Sequence, residues 1–154
     1  TTMGPPQRQL ELVSGYFVPG ESGTNSLAKM AARGVEVTVL TNALAATDVP
    51  IVHSGYAKRR KPLLKAGVRV FELRGPDAAA RPDREVTSIG SIGSKLSGAG
   101  SALHAKTMAA DRKRVFVGSF NFDPRSANLN TELGFVIESE ALAERLSRRR
   151  VRQG

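Results

Sequence analysis

The feature that most limits how this chain can fold is a unit that occurs twice in its first half. Leu10 to Val18 reads as a strand, and Gly23 to Arg33 as a helix with Leu27, Met30 and Ala31 on one side. Gly34 stops that helix ahead of the strand run VEVTVLT. The unit recurs as a helix over 51–66, a stop at Gly67 and the run VRVFEL, with Pro62 expected to bend or split the second helix. Strands and helices alternating in this way build a sheet with helices packed on it, so the expected fold class is α/β. With 154 residues, 40% of them hydrophobic, the chain fits one domain with a single core.

The second half changes character and carries the chemistry. In HAKTMAAD, His104 and Lys106 are two apart, so on a strand they project from the same side while Leu103, Ala105 and Thr107 face the other way. Val115 to Asn121 reads as the next strand, with Val115, Val117, Ser119 and Asn121 in phase, and Asp-Arg-Lys-Arg at 111–114 as the turn between the two. Glu132 opens a third run, ELGFVIES, in which Leu133, Phe135 and Ile137 are the expected buried face and Glu132 points away beside Gly134. An arginine-rich helix from about Glu140 completes a mixed sheet flanked by helices.

His, Lys, Ser, Asn and Glu gathered on one hairpin and its neighbour suit phosphoryl transfer. A histidine can attack phosphorus or protonate a leaving alkoxide near neutral pH. A lysine meets the non-bridging oxygens with compact positive charge, and the Ser119 hydroxyl and Asn121 amide add hydrogen bonds that strengthen as charge spreads in the transition state. Glu132 could hold one imidazole nitrogen and fix its tautomer. Gly118 leaves room for a phosphate to approach the backbone. Asp111 and Asp123-Pro124-Arg125 read first as turn formers.

HAKTMAAD matches the H-x-K-x4-D signature of the phospholipase D superfamily, and GSFN with Glu132 matches the continuation of that motif. The stretches GYFVPG, VLTNALAATDVPIVHSGYAKRRKPLL and VGSFNFDPRSANLNTELGFVIESE further resemble the C-terminal catalytic half of bacterial cardiolipin synthases. The resemblance implies a phospholipase D-like mixed sheet and a phosphohistidine mechanism that needs neither metal nor cofactor. Two motifs would meet at a pseudo-twofold axis, one histidine as nucleophile and the other as general acid. His104, Lys106, Asn121 and Glu132 would be catalytic, Lys106, Ser119 and Asn121 would hold the phosphate, and the segment with Asp48, His53 and Tyr56 would lie near the substrate pocket. Read as residues alone, Tyr56 is equally a core side chain with a wet tip and His53 a satisfied structural histidine. Only one copy of the motif is present, since His53 lacks a lysine two positions on. The missing half is expected from the preceding part of a longer chain, or else from a second copy of this one. The function implied is a cardiolipin-synthase-like transphosphatidylase, or a phospholipase with water as acceptor. The alternatives are a homodimeric endonuclease of the same superfamily and an inactive module that binds phosphate surfaces.

The net charge of +9 bears on partners. Lys58, Arg59, Arg60 and Lys61 form one basic run, and Arg145, Arg148, Arg149, Arg150 and Arg152 another. Such runs attract anionic lipid headgroups and nucleic-acid phosphates alike. Lipid headgroups at a membrane surface are the expected partner, because the resemblance extends through GYFVPG and TNALAATDVPIVHSGYA. No apolar run reaches the roughly 18 to 20 residues needed to span a bilayer, so the expectation is peripheral association, on the cytoplasmic side of a bacterial inner membrane. The absence of cysteine removes disulfides and thiolate metal ligands. Residues 74–101, rich in Gly, Ser and Pro, read as a mobile loop near the mouth of the site.

Overall fold

Six strands form one sheet in the order β3-β2-β1-β4-β5-β6. They are β1 (Gln9–Ser14), β2 (Glu36–Asn42), β3 (Arg69–Leu73), β4 (Lys106–Ala110), β5 (Arg114–Gly118) and β6 (Gly134–Glu138). The helices are α1 (Gly20–Ala32), α2 (Pro50–Lys65), α3 (Pro124–Asn128) and α4 (Glu140–Val151), with a 3-10 turn at Leu44–Ala46. This computed structural model describes residues 3–46, 50–73, 103–129 and 131–151. Asp48, the segment 74–102 and Arg152 lie outside them.

The two repeats appear as β1-α1-β2 and β2-α2-β3, and their three strands run parallel. Both helices close in the same way. Val35 N–H bonds Met30 O and Gly34 N–H bonds Ala31 O, while Val68 N–H bonds Leu63 O and Gly67 N–H bonds Leu64 O. This is the Schellman arrangement. It needs a left-handed residue after the helix, which Gly34 and Gly67 supply, each at φ +86°. The valine after each glycine is buried and starts the return toward the sheet. Pro62 does not split α2, which runs unbroken to Lys65. Pro62 is exposed and lies near the carboxyl end, while Leu63 beside it is fully buried and anchors that turn.

The second half adds β4, β5 and β6 as antiparallel strands, with β4 alongside β1. One face of the sheet meets α1 and α2 across a core of Leu10, Leu12, Leu27, Val37, Val39, Tyr56 and Leu63. On the other face α4 packs Ala143, Leu142 and Leu146 against Ala109 and Val115.

Leu133, Phe135 and Ile137 are not the buried face that their alternation suggests: they are 71%, 66% and 40% exposed. β6 is an edge strand, and α4 covers the sheet one rung short of it. The registers place Phe71, Leu40, Val13, Thr107, Val117 and Phe135 in one row across all six strands on the α4 face. Phe71, Val117 and Phe135 in that row are exposed.

Candidate active site

The site lies where the parallel strands β1 and β2 end and β4 begins, at the carboxyl edge used by ligands in open α/β sheets. β4 starts at Lys106, so His104 stands just before the ladder rather than within it. The two side chains nevertheless meet, with Lys106 Nζ 3.1 Å from His104 Nε2. A lysine ammonium only donates, so in this bond Nε2 is the acceptor when the imidazole carries its proton on Nδ1. Tyr16 forms the wall of this pair. Its ring stands edge-to-face with the imidazole at 6.2 Å, and Lys106 Nζ lies 5.9 Å from its centroid.

β5 ends at Gly118, sooner than expected. The chain is drawn out of the sheet because Phe122 stacks on buried Phe17 at 5.5 Å and accepts a backbone bond from Val18. The antiparallel register that pairs Thr107 with Val117 brings the exit of β5 level with the entry to β4, and so Ser119 to the same edge of the sheet as His104 and Lys106. Ser119 Oγ donates to Glu132 Oε2 and accepts from Leu133 N–H at 3.1 Å. Glu132 thus meets the Ser119 hydroxyl. Asn121 follows with its Oδ1 buried and lacking a partner among the described residues. His104 and Ser119 are exposed, so the surface is open to a phosphodiester.

Gly118 has a packing reason beside the one read in the sequence. A Cβ there would lie 2.7 Å from Gly134 Cα and 2.8 Å from the Phe116 ring, so the glycine pair 118 and 134 makes room for that ring. Asp111 lies at the far end of β4. Its carboxylate accepts from the N–H groups of Gln7, Arg8 and Gln9 and from Arg114. Burial raises the carboxyl pKa, but these donors outweigh it and hold Asp111 below the usual range. Asp123 caps α3 by accepting from Arg125 and Ser126 N–H, so the expected turn is the start of a helix that the sequence reading missed.

The two pocket candidates in α2 belong to a different cluster. Tyr56 is 2% exposed and its hydroxyl donates to Glu72 at 2.7 Å, while Arg60 pairs with the same carboxylate at 2.9 Å. Burial and the Glu72 bond push the Tyr56 phenol upward. His53 stands edge-on to Tyr56 at 5.4 Å, with Nδ1 buried and unpartnered among the described residues. Arg60 is thus tied down, and the outward charge of that basic run comes from Lys58 and Lys61. Two residues that the sequence reading did not single out are Tyr16 and Asn42. A polar residue ending a buried strand, as in VLTN, was the available signal for the second.

The mixed six-stranded sheet with helices on both faces, and the His104, Lys106, Ser119 and Glu132 set at its edge, are those of a phospholipase D-like α/β domain. The chain belongs to the family described as "Cardiolipin synthase, PLD-like domain", whose model matches residues 2–150. It is 48% identical over 147 residues to cardiolipin synthase C of Escherichia coli, covering 96% of this chain and 30% of that protein. Among solved structures, the phospholipase D family member Nuc from Salmonella typhimurium superimposes with a TM-score of 0.65 at 16% identity, over 98% of this chain and 80% of that one. Phosphatidylserine synthase from Haemophilus influenzae gives a TM-score of 0.65 at 16% identity, over 96% of this chain and 33% of that one. These two likenesses show the fold. The chain spans about a third or less of the length of the curated relative.

Proposed function

We propose that this domain is one half of a phospholipase D-type transphosphatidylase acting on phospholipids through a phosphohistidine, with His104, Lys106, Asn121 and Glu132 in the reaction centre. The observation that carries this reading is the His104–Lys106 pair, open at the sheet edge to which the exit of β5 also brings the Ser119–Glu132 pair. One imidazole nitrogen attacks phosphorus while the P–O bond to the departing alcohol breaks. A second acid must protonate that alcohol from the opposite side, and a single histidine cannot do both. The second histidine comes from another motif-bearing half, which then deprotonates the acceptor hydroxyl; that hydroxyl attacks phosphorus and breaks the P–N bond. Lys106, Ser119 and Asn121 hold the non-bridging oxygens, where charge develops. The apolar row ending in Val117 and Phe135 lies one rung below Ser119 and offers that half a seat. No metal or other cofactor enters this scheme.

Phospholipid headgroups at a membrane surface are the proposed substrate, and peripheral association with a bacterial inner membrane the proposed location. Exposed Lys58, Lys61 and Lys65 on α2 suit an anionic surface. No helix among the described residues is long and apolar enough to cross a membrane. The test is competition in a protein containing both halves, with phosphatidylglycerol vesicles and single-stranded DNA offered together and products identified by mass. Cardiolipin formed with DNA intact is the expected result; cut DNA with untouched lipid overturns it.

A further inference from the structure

We propose that Asn42 is the positioning residue of this site, acting on His104 through the main chain of Leu103; the inference rests on the proposed function only for its kinetic consequence. Asn42 ends β2 and is 4% exposed. Its Oδ1 accepts from Leu103 N–H at 2.9 Å, and its Nδ2 donates to Leu103 O at 3.0 Å and to Gly15 O at 3.2 Å. One carboxamide therefore satisfies both backbone polar groups of Leu103, the residue that precedes His104. β2 and β4 are not neighbours, because β1 lies between them. Where β1 stops at Ser14, the Asn42 side chain crosses the gap and takes the place of a missing ladder rung.

The surroundings fit that task. A Cβ on Gly15 would overlap the Leu103 carbonyl oxygen, so only glycine lets the two chains come this close. Gly15 N–H bonds Ala105 O at 3.2 Å, which holds the chain on the other side of His104. His104 is thus fixed at both flanks and emerges with its ring against Tyr16 and Nε2 on Lys106. A carboxamide suits this place because it offers a donor and an acceptor in one plane. An aspartate would set a carboxylate against two carbonyl oxygens, and a glutamine would overreach by a methylene. Buried groups satisfied at every polar atom favour a single geometry. An imidazole that must strike phosphorus in line depends on that geometry, since a displacement of about 1 Å can cost about a hundredfold in rate.

Asn42→Ala in the full-length protein, labelled with 15N-histidine, tests this. The expected result with phosphatidylglycerol vesicles is a fall in kcat of about tenfold or more, with KM within about twofold, at temperatures where the variant is folded. Without substrate, the ring resonances of His104 should shift or broaden while those of His53 stay in place. Unchanged His104 resonances, or a loss carried wholly by KM, overturn the proposal. If Asn42→Ala does not accumulate as folded protein, Asn42→Asp, which keeps an acceptor for Leu103 N–H and loses the donors to Leu103 O and Gly15 O, is judged by the same readouts. The resonances report the clamp even if His104 proves not to carry the phosphoryl group; in that case only the kcat effect is lost.

Discussion

Lys106 Nζ and His104 Nε2 are hydrogen-bonded at 3.1 Å, so the cation and the nucleophile candidate share one polar edge before any phosphate arrives. An entering phosphodiester would take the lysine N–H groups and release the imidazole nitrogen at the moment its lone pair is needed. Binding and activation would then be one event.

From this pair follows the first expectation. His104→Ala in a protein with both halves should abolish turnover and leave the melting temperature unchanged, since the side chain is exposed. Lys106→Ala should slow the reaction by about a hundredfold, the loss of a charged transition-state donor being worth about 3 kcal/mol. Steady-state assays beside thermal melts separate the two effects. Early melting of His104→Ala would make the residue structural.

Activity should survive EDTA, because Lys106, Ser119 and Asn121 meet the phosphate oxygens in the proposed scheme. Activity lost on chelation and restored by one divalent ion would refute that scheme.

Asp111 anchors the chain before β1, with three backbone amides and Arg114 on its carboxylate. Its folded pKa is depressed, so the stability it contributes is present above the unfolded carboxylate value near 4 and is lost as pH falls through the lower folded value. Asp111→Asn keeps the left-handed backbone at φ +56°, which asparagine tolerates. It should cost about 1–3 kcal/mol at neutral pH, with little change in kcat. The deficit should shrink below about pH 4 in denaturant titrations. A large rate loss at unchanged stability would give Asp111 a part in the chemistry.

Tyr56→Phe removes the bond to Glu72 and keeps the ring against Phe17 at 5.8 Å. Glu72 retains Arg60, so the expected cost is about 1 kcal/mol, with activity kept. Lost turnover without lost stability would return Tyr56 to the substrate pocket.

Phe135→Ser probes the apolar row. In this domain alone the side chain is 66% exposed, so the change should shift stability by no more than about 0.5 kcal/mol. In a protein carrying both halves it should lower the melting temperature clearly and reduce turnover. Calorimetry of the two proteins side by side makes the comparison, and equal insensitivity in both would show that nothing docks there.

Local chemistry made much of this protein legible from its sequence. Gly34 and Gly67 mark helix ends because only a left-handed residue closes a Schellman motif, and the periodicities of VEVTVLT and VRVFEL mark strands because side chains alternate. HAKTMAAD and GSFN identified the residues to look for, since few folds set His and Lys on one polar edge without use. Other features were decided only by contacts between distant parts of the chain. Leu133, Phe135 and Ile137 alternate like a buried strand, yet whether such a face is covered depends on where α4 lands, and it lands on Ala109 and Val115. Gly118 reads as a phosphate neighbour from its place before Ser119, and only the fold shows that it also makes room, with Gly134, for the Phe116 ring. Asn42 reaches Leu103, 61 positions away, because β1 ends between them and leaves a gap that one carboxamide spans. Periodicity reports what a residue would bury or bond; the sheet order and the strand ends determine which partner is within reach.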